Sequence, residues 1–213
     1  MTHPTSTTHG EFPPEELAKS MTQEMSSMRQ FNVFVEVPRT SLSPDTLRTA
    51  ITTRWVHRWK GDTVRSRLVC RGFNEPVTDE DQTYASTPLL VMVKLLILLS
   101  RSLDWHIEFW DVGTAFLHAA VSGELYVVPP QEFYDQGSVL WKLKKALYGL
   151  RTAPRAWQDH LAELLHTHNF KRMQSEANVY VNLALKVTIL VYADDLMVCG
   201  SKKAITQIMT TFV

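Results

Sequence analysis

The six residues VYADDL, 191 to 196, set two adjacent aspartates inside an apolar stretch, between VTIL and LMVCG. Burying carboxylates side by side is costly unless a positive charge compensates them. A third carboxylate, Asp111, closes the run WHIEFWD, in which Trp105, Ile107, Phe109 and Asp111 alternate onto one face of a strand. Asp111 and Asp194 are far apart in sequence, yet both fall at the ends or turns of strands that could be neighbours in one sheet. Asp111, Asp194 and Asp195 would then converge. Hard oxygen ligands gathered in this way suit Mg²⁺ or Mn²⁺, and two such ions can activate an attacking hydroxyl and stabilise a leaving group in an in-line displacement. Taken alone, YADD is also an ordinary hairpin turn, because Asp tolerates turn conformations. The elements around it have to decide.

Residues 1 to 13, rich in Thr, His, Ser and Pro, read as a disordered arm. A helix follows, with Leu17, Met21, Met25 and Met28 on one face and Glu15 and Glu16 at its start. NVFVEVP alternates like a strand and RTSLSPDT reads as a loop. TRWVHRWKGDTVRSRLVCRGF, 53 to 73, is two strands joined at Gly61-Asp62. After a polar stretch, Ser86-Thr87-Pro88 suits the start of a helix running to about Leu103, apolar on most sides and so expected in the core. Beyond the Asp111 strand come a short strand in GELYVVPP, a helix from about Ala153 to His168, a strand NVYVNLAL, the hairpin VTILVYADDLMVC and a last helix from Lys202. That order suits an α+β layer, one antiparallel sheet with helices on one face.

The chain has 213 residues, 45% of them apolar, enough for a sizeable core. Its hydrophobic run PLLVMVKLLILLS is interrupted by Lys94, and the N-terminus has neither a basic nor an apolar leader region, so an intracellular protein that spans no membrane is expected. Cys70 and Cys199 both sit in apolar strand-like contexts and are expected as buried thiols. Formal charge is zero, but its distribution is uneven. Arg54, Arg58, Lys60, Arg65, Arg67 and Arg71 face only Asp62 between 51 and 73. Lys142, Lys144, Lys145, Arg151 and Arg155 face no acid between 140 and 158, where Trp141, Tyr148 and Trp157 are interleaved. Such mixtures can hold a phosphate backbone and stack on bases, although core tryptophans beside a solvated face give the same pattern. His160, His166 and His168, near Asp159 and Glu163, have no standard zinc spacing and read as a solvated helix face.

DVGTAFLHA, LKKALYGLRTAPRAW and LVYADDLMVCG, in that order, resemble the reverse transcriptase of copia-type retrotransposon Pol polyproteins. WVHRWKGDTVRSRLVCRGF and the upstream ELAKSMTQEMSSM resemble its fingers region. The resemblance implies a polymerase of right-hand architecture, with fingers and palm over 14 to 213, and an RNA-directed DNA polymerase that adds deoxynucleotides to a primer. It implies two Mg²⁺ or Mn²⁺ ions on Asp111, Asp194 and the backbone at Val112, with Asp195 supporting. It places nucleotide contacts at Gly113, Thr114, Ala115, Phe116, Tyr148, Gly149 and one of Arg65 and Arg67, with Phe116 as the ring that excludes a ribose 2′-hydroxyl. Tyr192, Lys144, Lys145, Arg151 and Arg155 would meet an RNA or DNA template and its primer, in a cytoplasmic particle or the nucleus. The family's thumb and RNase H segments are expected after the point where this sequence stops, and its protease and integrase regions are also absent. Ala193 and Thr152 depart from residues usual in the family. A remnant that keeps the fold without polymerising is the alternative.

Overall fold

The computed structural model describes residues 12–76, 83–134 and 137–212. The first eleven residues of the expected arm lie outside them. Phe12, at the end of that arm, is packed, with its ring 5.5 Å from Trp59 and 5.9 Å from His57. Two compact units divide the chain, Met1–Glu80 with Ala120–Ala153, and Asp81–Ala119 with Pro154–Val213.

The first unit opens with α1, Pro14–Gln30, whose Ser20, Met25 and Met28 are buried, and which packs on strand β3. Strands β2, Thr53–Lys60, and β3, Thr63–Cys70, pair antiparallel about Gly61-Asp62, with Arg58 opposite Arg65 and Val56 opposite Arg67. Gly61 has φ +60, the conformation that the tight connection needs. In β3 alternate residues Val64, Ser66, Leu68 and Cys70 are buried, so Arg65 and Arg67 project from the other face. A second sheet orders β1, Phe34–Pro38, then β6, Val139–Leu143, then β5, Tyr126–Val127. The segment expected as a loop contains the short helix α2, Pro44–Thr49. Its cap Ser43 accepts from the Thr46 amide, and proline stands at its start.

In the second unit five antiparallel strands run in the order β4, β10, β9, β8, β7. They are β4, His106–Asp111; β7, Lys171–Arg172; β8, Val179–Asn182; β9, Val187–Tyr192; and β10, Asp195–Gly200. The antiparallel α+β class holds. Helix α4, Ala153–Thr167, buries Ala153, Trp157, Leu161 and Leu165, one face at a spacing of four, and with α5, Lys202–Phe212, lies on the side of the sheet carrying Ile189 and Leu196. Helix α3, Leu90–Ser102, packs on the other side, its Leu96 joining Val179, Leu190, Met197 and Cys199.

The expectation that α3 is buried on most sides is corrected: Leu96 and Ser100 are its buried residues, while Leu90, Val91 and Leu98 are more than 60% exposed. One helical face suffices to reach the sheet, and no described element lies over the rest. The expected Ser86 cap is also absent. Helix α3 starts at Leu90 without a side-chain cap, and the Ser86 hydroxyl instead bonds Asn178 and Gln158.

Both cysteines are free and buried, as expected. Burial first, and then the charge of Glu75, push the Cys70 thiol up to about 12. Burial also raises Cys199, against a hydrogen bond with Ser100. At pH 8 the thiolate fraction of Cys70 is then roughly one in ten thousand. We expect the native chain to leave both thiols unreacted with a disulfide reagent at pH 8 over minutes, and the urea-unfolded chain to titrate both at once. Rapid native labelling of Cys70 would contradict its burial.

Candidate active site

The site grows from the end of β4 and the turn between β9 and β10. Asp111 stands directly opposite Asp195 in the ladder, and Asp195 is also opposite Tyr192. Direct partners in an antiparallel pair share a face, so Asp111, Asp195 and Tyr192 project together. The Val112 amide extends the ladder by donating to the Asp194 carbonyl at 2.9 Å. Asp111 and Asp195 are exposed and Asp194 is half-buried. Like charges opposite each other in a sheet repel. Among the described residues the ion pairs are Arg48–Asp45, Lys142–Glu124 and Arg155–Asp159, so no protein cation offsets these three carboxylates.

The expected convergence is met only in part. Register brings Asp111 and Asp195 face to face with Asp194 beside them, yet among the described residues no three His, Cys, Asp or Glu side chains form a group able to hold a metal ion. Asp111 and Asp195 share one face of the ladder, whereas Asp194 lies in the two-residue turn, outside the alternation that sets that face. The donor set nonetheless fits Mg²⁺ or Mn²⁺, which bind through one or two carboxylates and keep several waters. Those carboxylates would be Asp111 with Asp194 or Asp195.

Immediately after Asp111 the chain turns sharply. Thr114 has φ +56, and a short 3₁₀ helix follows over Ala115–His118. Ala115 and Leu117 are buried, whereas Gly113 is exposed and Thr114 and Phe116 are half-exposed. Behind this turn a cavity of about 530 Å³ is lined by Trp110, Val112, His118, Trp157, Leu161 and Leu196, among others. Trp157, 4% exposed, donates its indole N–H to the Ala193 carbonyl at 2.8 Å.

The remaining nucleotide and template residues of the sequence reading belong to the first unit or to α4. Arg58, Lys60, Arg65, Arg67 and Tyr148 line a cavity of about 380 Å³ whose wall has no acid among the described residues. The Arg67 guanidinium lies 4.4 Å over the Tyr148 ring, a cation–π contact that orients it. Burial raises the Glu24 carboxyl, against the charges of Arg67 and Arg65. Gly149, φ +88, lets Tyr148 turn beside β3, where the Cys70 amide donates to the Tyr148 carbonyl at 2.7 Å.

Of the two readings of the run at 140 to 158, its aromatic residues follow the one that places them in the core. Trp141, Tyr148 and Trp157 are buried, and Trp141 stacks on Phe34 with centroids 3.7 Å apart. Two of its cations also have acidic partners, Lys142 with Glu124 and Arg155 with Asp159. Lys144 and Arg151 are exposed and Lys145 is half-buried.

Sequence reasoning missed Glu75. Buried to 5% exposure, it accepts from the Arg151 amide and, at 2.5 Å, from the Thr152 hydroxyl, pinning the segment after Gly149. A lone acid in a loop gives no sign of such a partner.

Residues 39–211 match the family model described as reverse transcriptase (RNA-dependent DNA polymerase). The chain is 28% identical over 204 residues to the retrovirus-related Pol polyprotein from transposon TNT 1-94 of Nicotiana tabacum, covering 89% of this chain and 15% of that protein. It is 32% identical over 166 residues to the corresponding polyprotein from transposon RE1 of Arabidopsis thaliana, covering 72% and 11%. It thus spans 15% or less of the length of these relatives.

Proposed function

The chain belongs to the reverse transcriptase (RNA-dependent DNA polymerase) family, and from that membership we propose that it extends a primer with deoxynucleoside triphosphates along an RNA or DNA template. The observation that carries the proposal is the pairing of Asp111 with Asp195 beside Asp194, three carboxylates with no protein cation among the described residues. Asp111 and Asp194 would be the metal-holding side chains, with the Val112 backbone as a further oxygen and Asp195 as the supporting charge. Bound Mg²⁺ or Mn²⁺ would activate the primer 3′-hydroxyl and neutralise the leaving pyrophosphate.

The other residues bind and orient. The turn from Gly113 to Phe116 would meet the incoming nucleotide, and exposed Tyr192 would lie against the primer end. On its own unit, the cavity of Arg65, Arg67 and Tyr148 is suited to phosphate, and Arg67, already oriented on the Tyr148 ring, is the stronger of the two arginines for that role. Gly149, next to Tyr148, is proposed as a further nucleotide contact on that unit. Lys144, Lys145, Arg151 and Arg155 are proposed as backbone contacts, Arg155 least so because Asp159 already holds it. The remainder of a Pol polyprotein would be the chain's partner in synthesis.

Primer extension on an RNA template with Mg²⁺ tests the reading. Incorporation dependent on the metal supports it, and none by the folded chain, alone or joined to a following polyprotein segment, would make it a remnant. Within that assay Phe116→Ala should admit ribonucleotides without improving deoxynucleotide use, a selectivity lost by removing a steric block. Unchanged sugar discrimination would reduce Phe116 to a packing residue.

A further inference from the structure

The turn that presents Asp194 holds a backbone choice. Tyr192 and Asp195 close a two-residue hairpin loop, Ala193-Asp194. Ala193 has φ +53, whereas Asp194 is not among the residues of positive φ. Positive φ at the first central residue alone is the pattern of a type II′ turn, and at both central residues that of type I′. The two types differ in the orientation of the central peptide, which here joins the Ala193 carbonyl to the Asp194 amide. Flipping it would drive Asp194 to positive φ and re-aim its carboxylate. Type II′ turns favour glycine at the first position, but this chain has alanine, at a backbone cost of about 1 kcal/mol or more.

The atom that a flip would move is the one Trp157 holds. Its indole N–H reaches the Ala193 carbonyl at 2.8 Å. The indole is fixed in turn, since Trp157 is buried on the face of α4 that also buries Leu161 and Leu165, and its ring lies 6.0 Å from that of His160 and 6.4 Å from that of His118. On the far side of the same turn the Val112 amide holds the Asp194 carbonyl.

We propose that Trp157 is a positioning residue for the catalytic turn: its hydrogen bond to the Ala193 carbonyl selects the type II′ orientation of the central peptide and so aims Asp194 at the metal-binding face beside Asp111. The proposal rests on the reading of Asp194 as a metal ligand. Trp157 is buried and its indole N–H is on the Ala193 carbonyl, so in this proposal it acts through the peptide.

The test compares wild type, Trp157→Phe, the double variant Trp157→Phe with Ala193→Gly, and Asp194→Asn, for Mn²⁺ affinity by titration and for single-nucleotide incorporation. Trp157→Phe keeps an aromatic ring but loses the donor. Its kcat should fall on the order of tenfold to a hundredfold, the scale of a small misplacement of a reacting group, with KM for the nucleotide unchanged and Mn²⁺ binding weakened. Glycine at 193 favours type II′ without help, so the double variant should recover most of both losses. A role confined to packing α4 would not be rescued by a change in the turn. Should Trp157→Phe fail to fold, benzothienylalanine at 157, which has the indole's shape without its N–H, takes its place. Wild-type behaviour in the donor-less variant, or a defect that Ala193→Gly leaves undiminished, overturns the proposal. Failure of the underlying reading is distinct, because wild type and Asp194→Asn would then bind Mn²⁺ and incorporate nucleotide alike.

Discussion

Asp111→Asn and Asp194→Asn should each reduce primer extension by at least about a thousandfold, the loss expected when an interaction needed only in the transition state is removed, while leaving the chain as stable as before or slightly more so. The two halves of that expectation come from the same geometry. Asparagine has the volume of aspartate, and the hydrogen bond that ties the turn to β4 runs between backbone atoms, the Val112 amide and the Asp194 carbonyl. Among the described residues no ion pair involves either charge. Asp111 faces Asp195 directly, and like charges so placed cost roughly 0.2–1 kcal/mol. Removing one relieves that cost. A site whose loss stabilises its scaffold is the mark of residues kept for chemistry. Single-turnover incorporation and thermal melting on the same preparations check both parts. Extension at the wild-type rate by either folded variant would sink the mechanism, and a collapse in melting temperature would mean that the carboxylates serve the fold.

Local patterns were legible in the sequence where one chain segment decides its own structure. The hairpin at Gly61-Asp62 follows from alternation on both arms and from a turn dipeptide, and its register runs without interruption from Thr53–Cys70 to Lys60–Thr63. The YADD hairpin could be read in the same way. Strand β6, VLWKL, gave no such signal, because Leu140, Trp141 and Leu143 are all buried and a short apolar run carries no period. Helix α3 shows the opposite failure. Its composition says core, but how much of a helix is covered depends on what lies against it. The site divides along the same line. Asp111, Asp194 and Asp195 are visible as residue types in an order, whereas Glu75 and Trp157 act through partners more than thirty residues away, Arg151 and Thr152 for one and Ala193 for the other. Trp157 drew notice for its ring. Its part in the turn is played by its N–H.

Gly149→Ala should unfold the first unit or weaken it by more than about 4 kcal/mol, a size that single substitutions reach only through severe backbone or packing conflict. Two costs combine. Gly149 has φ +88, where a side chain costs about 1–2 kcal/mol on conformational grounds. A Cβ there would also overlap the Cys70 carbonyl oxygen and lie 2.5 Å from Val69 Cγ1. The first obstacle is the backbone of β3, itself tied to this turn by the Cys70 amide on the Tyr148 carbonyl, so it cannot give way without breaking that bond. Gly72 makes the reciprocal approach, since a Cβ on it would overlap the Gly149 carbonyl oxygen. The two glycines let two backbones pass where side chains would hold them apart. Gly123→Ala separates the two costs: Gly123 has φ +73 but no described atom within 4 Å of an added Cβ, so it should lose only the conformational cost of about 1–2 kcal/mol. Urea midpoints for the two variants make the comparison. Against a total stability of about 5–15 kcal/mol the difference is decisive. It also bears on the site, because Tyr148 precedes Gly149 and supports the Arg67 guanidinium. A Gly149→Ala chain that kept its fold by displacing this turn would move that arginine with it. If the two alanine variants instead lose equal stability, the close approach of the backbones has no energetic weight, and Gly149 is there for its φ alone.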